Sequence, residues 1–158
     1  MGVVAAPLLA GFSVAFAGGI VTHPGLFRWT NATLTLVVAA ALSLVGALQF
    51  TFRARQWAAT PSEIERWWRD ADDPERMEAL RREQREHFQN YVRWSNAARV
   101  SYNLGIFFFL CGLTVGLIPA DRMNDGRITA VTTAALGAAL EIAWLAHDVK
   151  RLRERQRR

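Results

Sequence analysis

Glu141 is an acidic residue in an unusual setting, because it lies deep inside a long apolar segment. An ionised carboxylate in the middle of a membrane helix costs about 3 kcal/mol on insertion scales unless it is paired or hydrated. Gln49, Asn103 and Tyr102 lie at a similar expected depth in other apolar segments. These four residues are therefore predicted to form a buried polar cluster or an ion pathway.

The composition of this cluster leaves three interpretations open. The residues could satisfy one another and orient the helices, they could carry an ion or a proton, or they could take part in catalysis. No Gly-rich phosphate loop, Gly-x-Ser-x-Gly or His-Glu-x-x-His motif occurs in the chain. The sequence thus favours a protein that is not an enzyme, and we assign no catalytic residue.

Metal and cofactor binding are not expected from the histidines. His23, His87 and His147 are predicted at three different heights, so that one chain cannot bring them together. Cys111 is the single cysteine and excludes an internal disulfide. We therefore predict no metal site and no cofactor.

Four segments poor in charge must position these residues. They cover 2–22, 32–52, 100–120 and 128–147, and each has about the 20 residues that cross a bilayer as a helix. No basic residue precedes the first segment, so we expect it to be a span and not a cleaved signal peptide. The predicted fold is an all-α integral membrane protein with a four-transmembrane-helix bundle.

Basic residues are distributed unevenly around these segments. Of 19 Lys and Arg residues, ten lie in 53–99 and six in 148–158. The positive-inside rule therefore predicts a multi-pass protein of the cell membrane with both termini cytosolic. The basic tail is expected to bind anionic lipid headgroups, and nucleic acid is not expected as a partner.

This topology divides the chain into four parts. Residues 1–53 are predicted to form transmembrane helices 1 and 2, and residues 100–148 to form transmembrane helices 3 and 4. Between them, 54–99 form a cytosolic helical segment that is continuous with helix 3. Residues 149–158 are the basic tail. Helix starts are predicted at Thr60-Pro61-Ser62-Glu63, followed by a stripe with Trp67 and Trp68, and at Asp72-Asp73-Pro74. An apolar stripe through Met77, Leu80, Phe88 and Tyr91 is typical of a weak coiled coil, and we expect 60–99 to offer a site for a cytosolic protein.

Small residues predict where helices approach closely. Gly11, Ala15, Gly18 and Gly19 share one face of the first helix, and Gly112 and Gly116 form a Gly-x-x-x-Gly motif in the third. We predict that both sets serve helix packing or oligomerisation.

These features together predict a homo-oligomeric membrane assembly with ion-channel or pore activity. One alternative is a membrane-anchored regulatory or interaction module that uses the cytosolic helices. A third hypothesis is a small lipid-acting enzyme that uses Glu141 and His147, for which Glu141→Gln would abolish turnover.

Overall fold

The protein is a helical bundle in a computed structural model that describes residues 2–58, 74–119 and 124–156. Within these ranges the chain forms α1 (Gly2–Thr22), α2 (Thr30–Gln56), α3 (Pro74–Gly116) and α4 (Asp125–Gln156), and a single 3₁₀ turn (Pro24–Leu26) follows α1. Each of the four helices is long and apolar enough to cross a membrane. The prediction of an all-α protein with four membrane-spanning helices is therefore confirmed at the level of length and composition.

The helix ends follow from local chemistry. The Thr30 hydroxyl donates to the carbonyl oxygen of Pro24 at 3.0 Å, which ties the start of α2 to the preceding turn. The Asn124 side chain accepts from the Arg127 backbone N–H at 2.9 Å and so caps α4. Pro74 is the first residue of α3, where its missing N–H costs least.

Two helices extend more than eight residues beyond their predicted spans. α3 has 43 residues and is unbroken, which gives a length of about 65 Å. α4 has 32 residues and continues through His147 to Gln156, so that most of the basic tail extends the fourth helix. A low proportion of Gly and Pro in both segments is compatible with this length.

The α2–α3 pair forms the centre of the molecule, with α1 packed against α2 and α4 packed against α3. The buried residues of α2 follow one another at intervals of three, four or seven positions and therefore form one stripe. They are Thr33, Val37, Ala40, Leu44, Ala47 and Ala54.

α3 meets this stripe with small residues. A Cβ atom at Gly105 would lie 2.6 Å from Leu44 Cγ, and one at Gly112 would lie 2.8 Å from Val37 Cγ2. Such distances are shorter than van der Waals contact, so that the two backbones can approach this closely only where glycine is present.

Aromatic contacts lie at both ends of the helical bundle. We call the end with residues 23–29 the loop end and the end with Arg53 the basic end. At the loop end, the Phe16 and Phe27 rings meet edge to face at 6.2 Å, and an isolated antiparallel bridge joins Phe27 to Pro119. At the basic end, Phe50 stacks on Trp94 at 5.9 Å.

The predicted apolar stripe of the charged segment is only partly covered. Leu80 is 4% exposed, whereas Phe88 is 67% and Tyr91 40% exposed. Several predicted features lie outside the described residues. They are the helix start at 60–63, the tryptophans Trp67 and Trp68, and positions 121–123 between the third and fourth spans.

Candidate functional site

Glu141 lies on the face of α4 that packs against α3. Helical spacing places its side chain on the same face as Ala134 and Ala138, which are each 8% exposed. Gly137, on the same face, would bring a Cβ atom within 3.4 Å of Leu110 on α3. The carboxyl group is thus half-buried at a helix–helix contact and does not lie on the outer side of α4.

Asn103 lies on the opposing face of α3. It is 8% exposed and is separated from Leu110 by two helical turns, so that both residues share one face. Because α3 and α4 run in opposite directions, the Leu110–Gly137 contact sets Asn103 and Glu141 about one turn apart along the pair. In the described ranges no hydrogen bond joins the two side chains.

Tyr102 and Gln49 lie on other surfaces. Tyr102 packs on the cluster of Ala6, Ala10 and Leu44, which belongs to the contact of α1 with α2. Gln49 is exposed, since it points about 160° away from Ala47 in the buried stripe of α2. The structure therefore places Asn103 and Glu141 on the faces of α3 and α4 that pack together, and it places Tyr102 and Gln49 on other surfaces.

Ser101 makes a hydrogen bond between α3 and α2. Its hydroxyl donates to the carbonyl oxygen of Ser43 on α2 at 2.7 Å. A Cβ atom at Gly46 would lie 3.1 Å from the same hydroxyl oxygen. The spacing of Ser101, Gly105, Gly112 and Gly116 places these small residues on one face of α3, and this signal in the sequence could have identified Ser101.

The two sets of small residues have different surroundings. Gly112 and Gly116 lie against α2, where a Cβ atom at Gly116 would come within 2.9 Å of Thr33 Cγ2. A Cβ atom at Gly11, Gly18 or Gly19 would meet nothing within 4 Å. Ala15 is exposed as well, so this face of α1 is free of contacts within the described chain.

The histidines occupy three separate places. His23 lies at the loop end, where Nδ1 is 3.0 Å from the Thr22 hydroxyl, and His87 meets Trp57 edge to face at 5.0 Å near the basic end. His147 is exposed on α4. Across residues 2–58, 74–119 and 124–156, no three His, Cys, Asp or Glu side chains are grouped closely enough to hold a metal ion.

Comparison of the chain with protein-family models, with curated proteins and with solved structures finds no match.

Proposed function

We propose that this chain works in a membrane as a homo-oligomer in which the glycine face of α1 contacts another copy. The glycine face consists of Gly11, Ala15, Gly18 and Gly19. The supporting observation is that no atom of the described chain lies within 4 Å of a Cβ built on any of its three glycines.

The position of the glycine face on α1 supports this assignment. α1 contacts α2 through a different set of residues, which are buried at Ala6, Ala10, Ser13 and Ile20. Helical spacing puts the glycine face roughly opposite that set. α1 therefore has one small face for its own chain and a second one on which a helix from another copy could pack closely.

A substitution at Gly18 tests this assembly. The single chain has room for a leucine there, so Gly18→Leu should leave the fold unchanged while it separates the packed helices. Mass measurement by light scattering in mild detergent should show an oligomer for the original chain and a smaller species for the variant. Val14→Leu, at a position that is 63% exposed, is the matched control and should keep the oligomer. A monomeric original chain would refute the proposal.

Ion conduction is the activity that we propose for the assembly. Glu141 and Asn103 supply a carboxyl and an amide group to one contact inside the predicted spans, and ionisable groups in such positions commonly mark ion or proton pathways. Ion flux into liposomes that contain the purified protein should be measurable and should fall at least about tenfold in Glu141→Gln. If an oligomer of the expected mass showed no ion flux, the proposed conduction would be wrong, while the proposed assembly would still stand.

We also propose that both termini and the charged part of α3 face the cytosol. Of the 19 Lys and Arg residues in the sequence, 16 lie in 53–99 and 148–158, the segments that follow the basic ends of α2 and α4 or precede the apolar part of α3. The other three are Arg28, Arg122 and Arg127, which lie in the connections of the loop end or in the first turn of α4. This imbalance follows the positive-inside rule.

The exposed aromatic residues of α3 favour a second candidate function. Phe88 and Tyr91 are exposed on the part of α3 that precedes its apolar span. Such residues suit a membrane-anchored module that binds a cytosolic protein. A photo-crosslinking residue at Phe88 in the full chain should then capture one specific protein, and the same residue at Arg82 on the polar side should not. A specific capture together with an absence of ion flux would favour this function over conduction.

A further inference from the structure

Two arginines share one tryptophan ring at the basic end. Arg53, from α2, places its Cζ atom 4.8 Å from the centroid of the Trp94 ring on α3, and Arg93 places its Cζ atom 5.9 Å from it. Phe50 stacks on the same indole and helps to hold it in place. Both arginine side chains are exposed, while Trp94 is half-buried.

Neither arginine has an acidic partner among the described residues. The sequence explains this, because no Asp or Glu occurs within four positions of Arg53 or Arg93. The nearest acid in α3 is Glu86, which is about two turns from Arg93. Two guanidinium groups are therefore held beside one indole by cation–π contact, and no acidic side chain of the described residues pairs with them.

The arginines lie at the height of a lipid headgroup. The apolar part of α2 runs from Thr30 to Phe52 and is about 34 Å long, close to the roughly 30 Å of bilayer hydrocarbon. Arg53 is the next residue, and its contact with Trp94 puts Arg93 at a similar height. A tryptophan beside cationic side chains is a common arrangement at the membrane–water interface.

We propose that Arg53, Arg93 and Trp94 form a binding site for the phosphate group of one anionic phospholipid. The planar guanidinium group suits a phosphodiester because it can donate two parallel hydrogen bonds. The Trp94 ring restricts the motion of both side chains before the lipid arrives, which lowers the entropy cost of binding. This site involves α2 and α3 of a single chain, so it depends neither on oligomerisation nor on conduction.

Native mass spectrometry of the full chain in a nonionic detergent tests the site directly. The expected result is that phosphatidylglycerol stays bound more strongly than phosphatidylcholine, which has the same phosphodiester but no net charge. Arg53→Gln and Arg93→Gln should each weaken phosphatidylglycerol binding about fivefold, the equivalent of about 1 kcal/mol per basic residue at a lipid surface. Arg55→Gln is the matched control, because Arg55 is exposed at the same helix end and, among the described residues, only Arg53 and Arg93 lie over the Trp94 ring. It should change binding less than about twofold, since it alters only the general surface charge.

Two further variants separate a defined site from general surface charge. Arg53→Lys keeps the charge but loses the planar group, and it should weaken binding by about two- to threefold. Trp94→Leu keeps both arginines but removes the ring that holds them, and it should also weaken binding while the helical circular dichroism signal is retained. Equal losses in Arg55→Gln and Arg53→Gln, or binding of both lipids with the same strength, would overturn the proposal. Displacement of the lipid by an excess of inorganic phosphate would instead assign the site to a free anion and would equally overturn the lipid assignment.

Discussion

Among the described glycines, Gly105 has the least room for a Cβ atom. A Cβ atom there would lie 2.6 Å from Leu44 Cγ and 3.3 Å from the Leu44 backbone nitrogen, and Leu44 is fully buried. Because the Leu44 side chain is buried and its backbone is fixed in α2, neither can easily move away from an added methyl group. Gly105→Ala should therefore lower the free energy of unfolding by about 1–3 kcal/mol. Unfolding in mixed micelles, followed by circular dichroism, measures this change.

Gly11→Ala, measured at a detergent concentration at which the chain is monomeric, is the matched control for this prediction. Nothing lies within 4 Å of the Cβ position at Gly11 in the single chain. Alanine also forms helices better than glycine by up to about 1 kcal/mol in water, so the stability of this variant should stay equal or rise slightly. The same loss of stability at both positions would contradict the close α2–α3 contact.

Ser101 and Ser13 permit a second comparison between single residues. The Ser101 hydroxyl bonds across to Ser43 on α2, whereas the buried Ser13 hydroxyl bonds to the Leu9 carbonyl oxygen of its own helix at 2.9 Å. Ser101→Ala should therefore cost about 0.6 kcal/mol of bundle stability, the average measured for hydrogen bonds between membrane helices, and at most about 1.7 kcal/mol. Ser13→Ala should cost less in the same unfolding assay, and the opposite order would contradict the assigned role of Ser101.

The candidate site shows which part of a residue's position can be predicted from sequence. Counting residues from the span ends estimates depth, and on this basis Gln49, Tyr102, Asn103 and Glu141 were placed in one layer. Depth contains no information on how each helix is rotated about its own axis. The rotation depends on which faces pack, and it turns Gln49 outward and Tyr102 toward α1.

Helices as whole elements were easier to predict than their faces. Length and hydropathy were sufficient for the four spans, and Pro74 correctly marked the start of α3. The face of α1 that packs within the chain was harder to predict, because α1 has small residues on two opposite sides. The choice between the two sides depends on the shape of the α2 surface, which a pattern within α1 does not contain.

The unbroken α3 helix predicts that its charged and apolar parts move as one body. Spin labels at the exposed positions Arg82 and Leu104, in a chain with Cys111→Ser, should lie about 33 Å apart along the helix axis. Pulsed electron resonance should give one narrow distance distribution. Insertion of two glycines after Gln89 should broaden it, and a broad distribution in the chain without the insertion would show that α3 bends between its two parts.

The whole molecule has two ends of different charge, and this difference predicts its orientation in the membrane. The four candidate spans put the described ends of α1 and α4, Gly2 and Gln156, at the basic end, with the two connections at the loop end. Single cysteines at Gly25 and Asn124, in a Cys111→Ser background, should react with a membrane-impermeant thiol reagent on intact cells. Cysteines at Arg55 and Glu78 should react only after the membrane is permeabilised, because the basic end is predicted to be retained in the cytosol.

A variant in which basic residues are redistributed between the two ends provides a control for this orientation test. Basic residues in short connections influence orientation most, so adding two arginines beside Arg127 while replacing Lys150 and Arg151 with Gln reduces the imbalance between the ends. This variant should show a mixed labelling pattern while its helix content remains unchanged. An orientation that ignored this change would have to be set by another feature, for which the exposed aromatic residues at Phe88 and Tyr91 would be the first candidates. In the chain without these charge changes, labelling of the cysteines at positions 55 and 78 on intact cells would place the charged part of α3 outside the cell. That result would contradict the proposed topology.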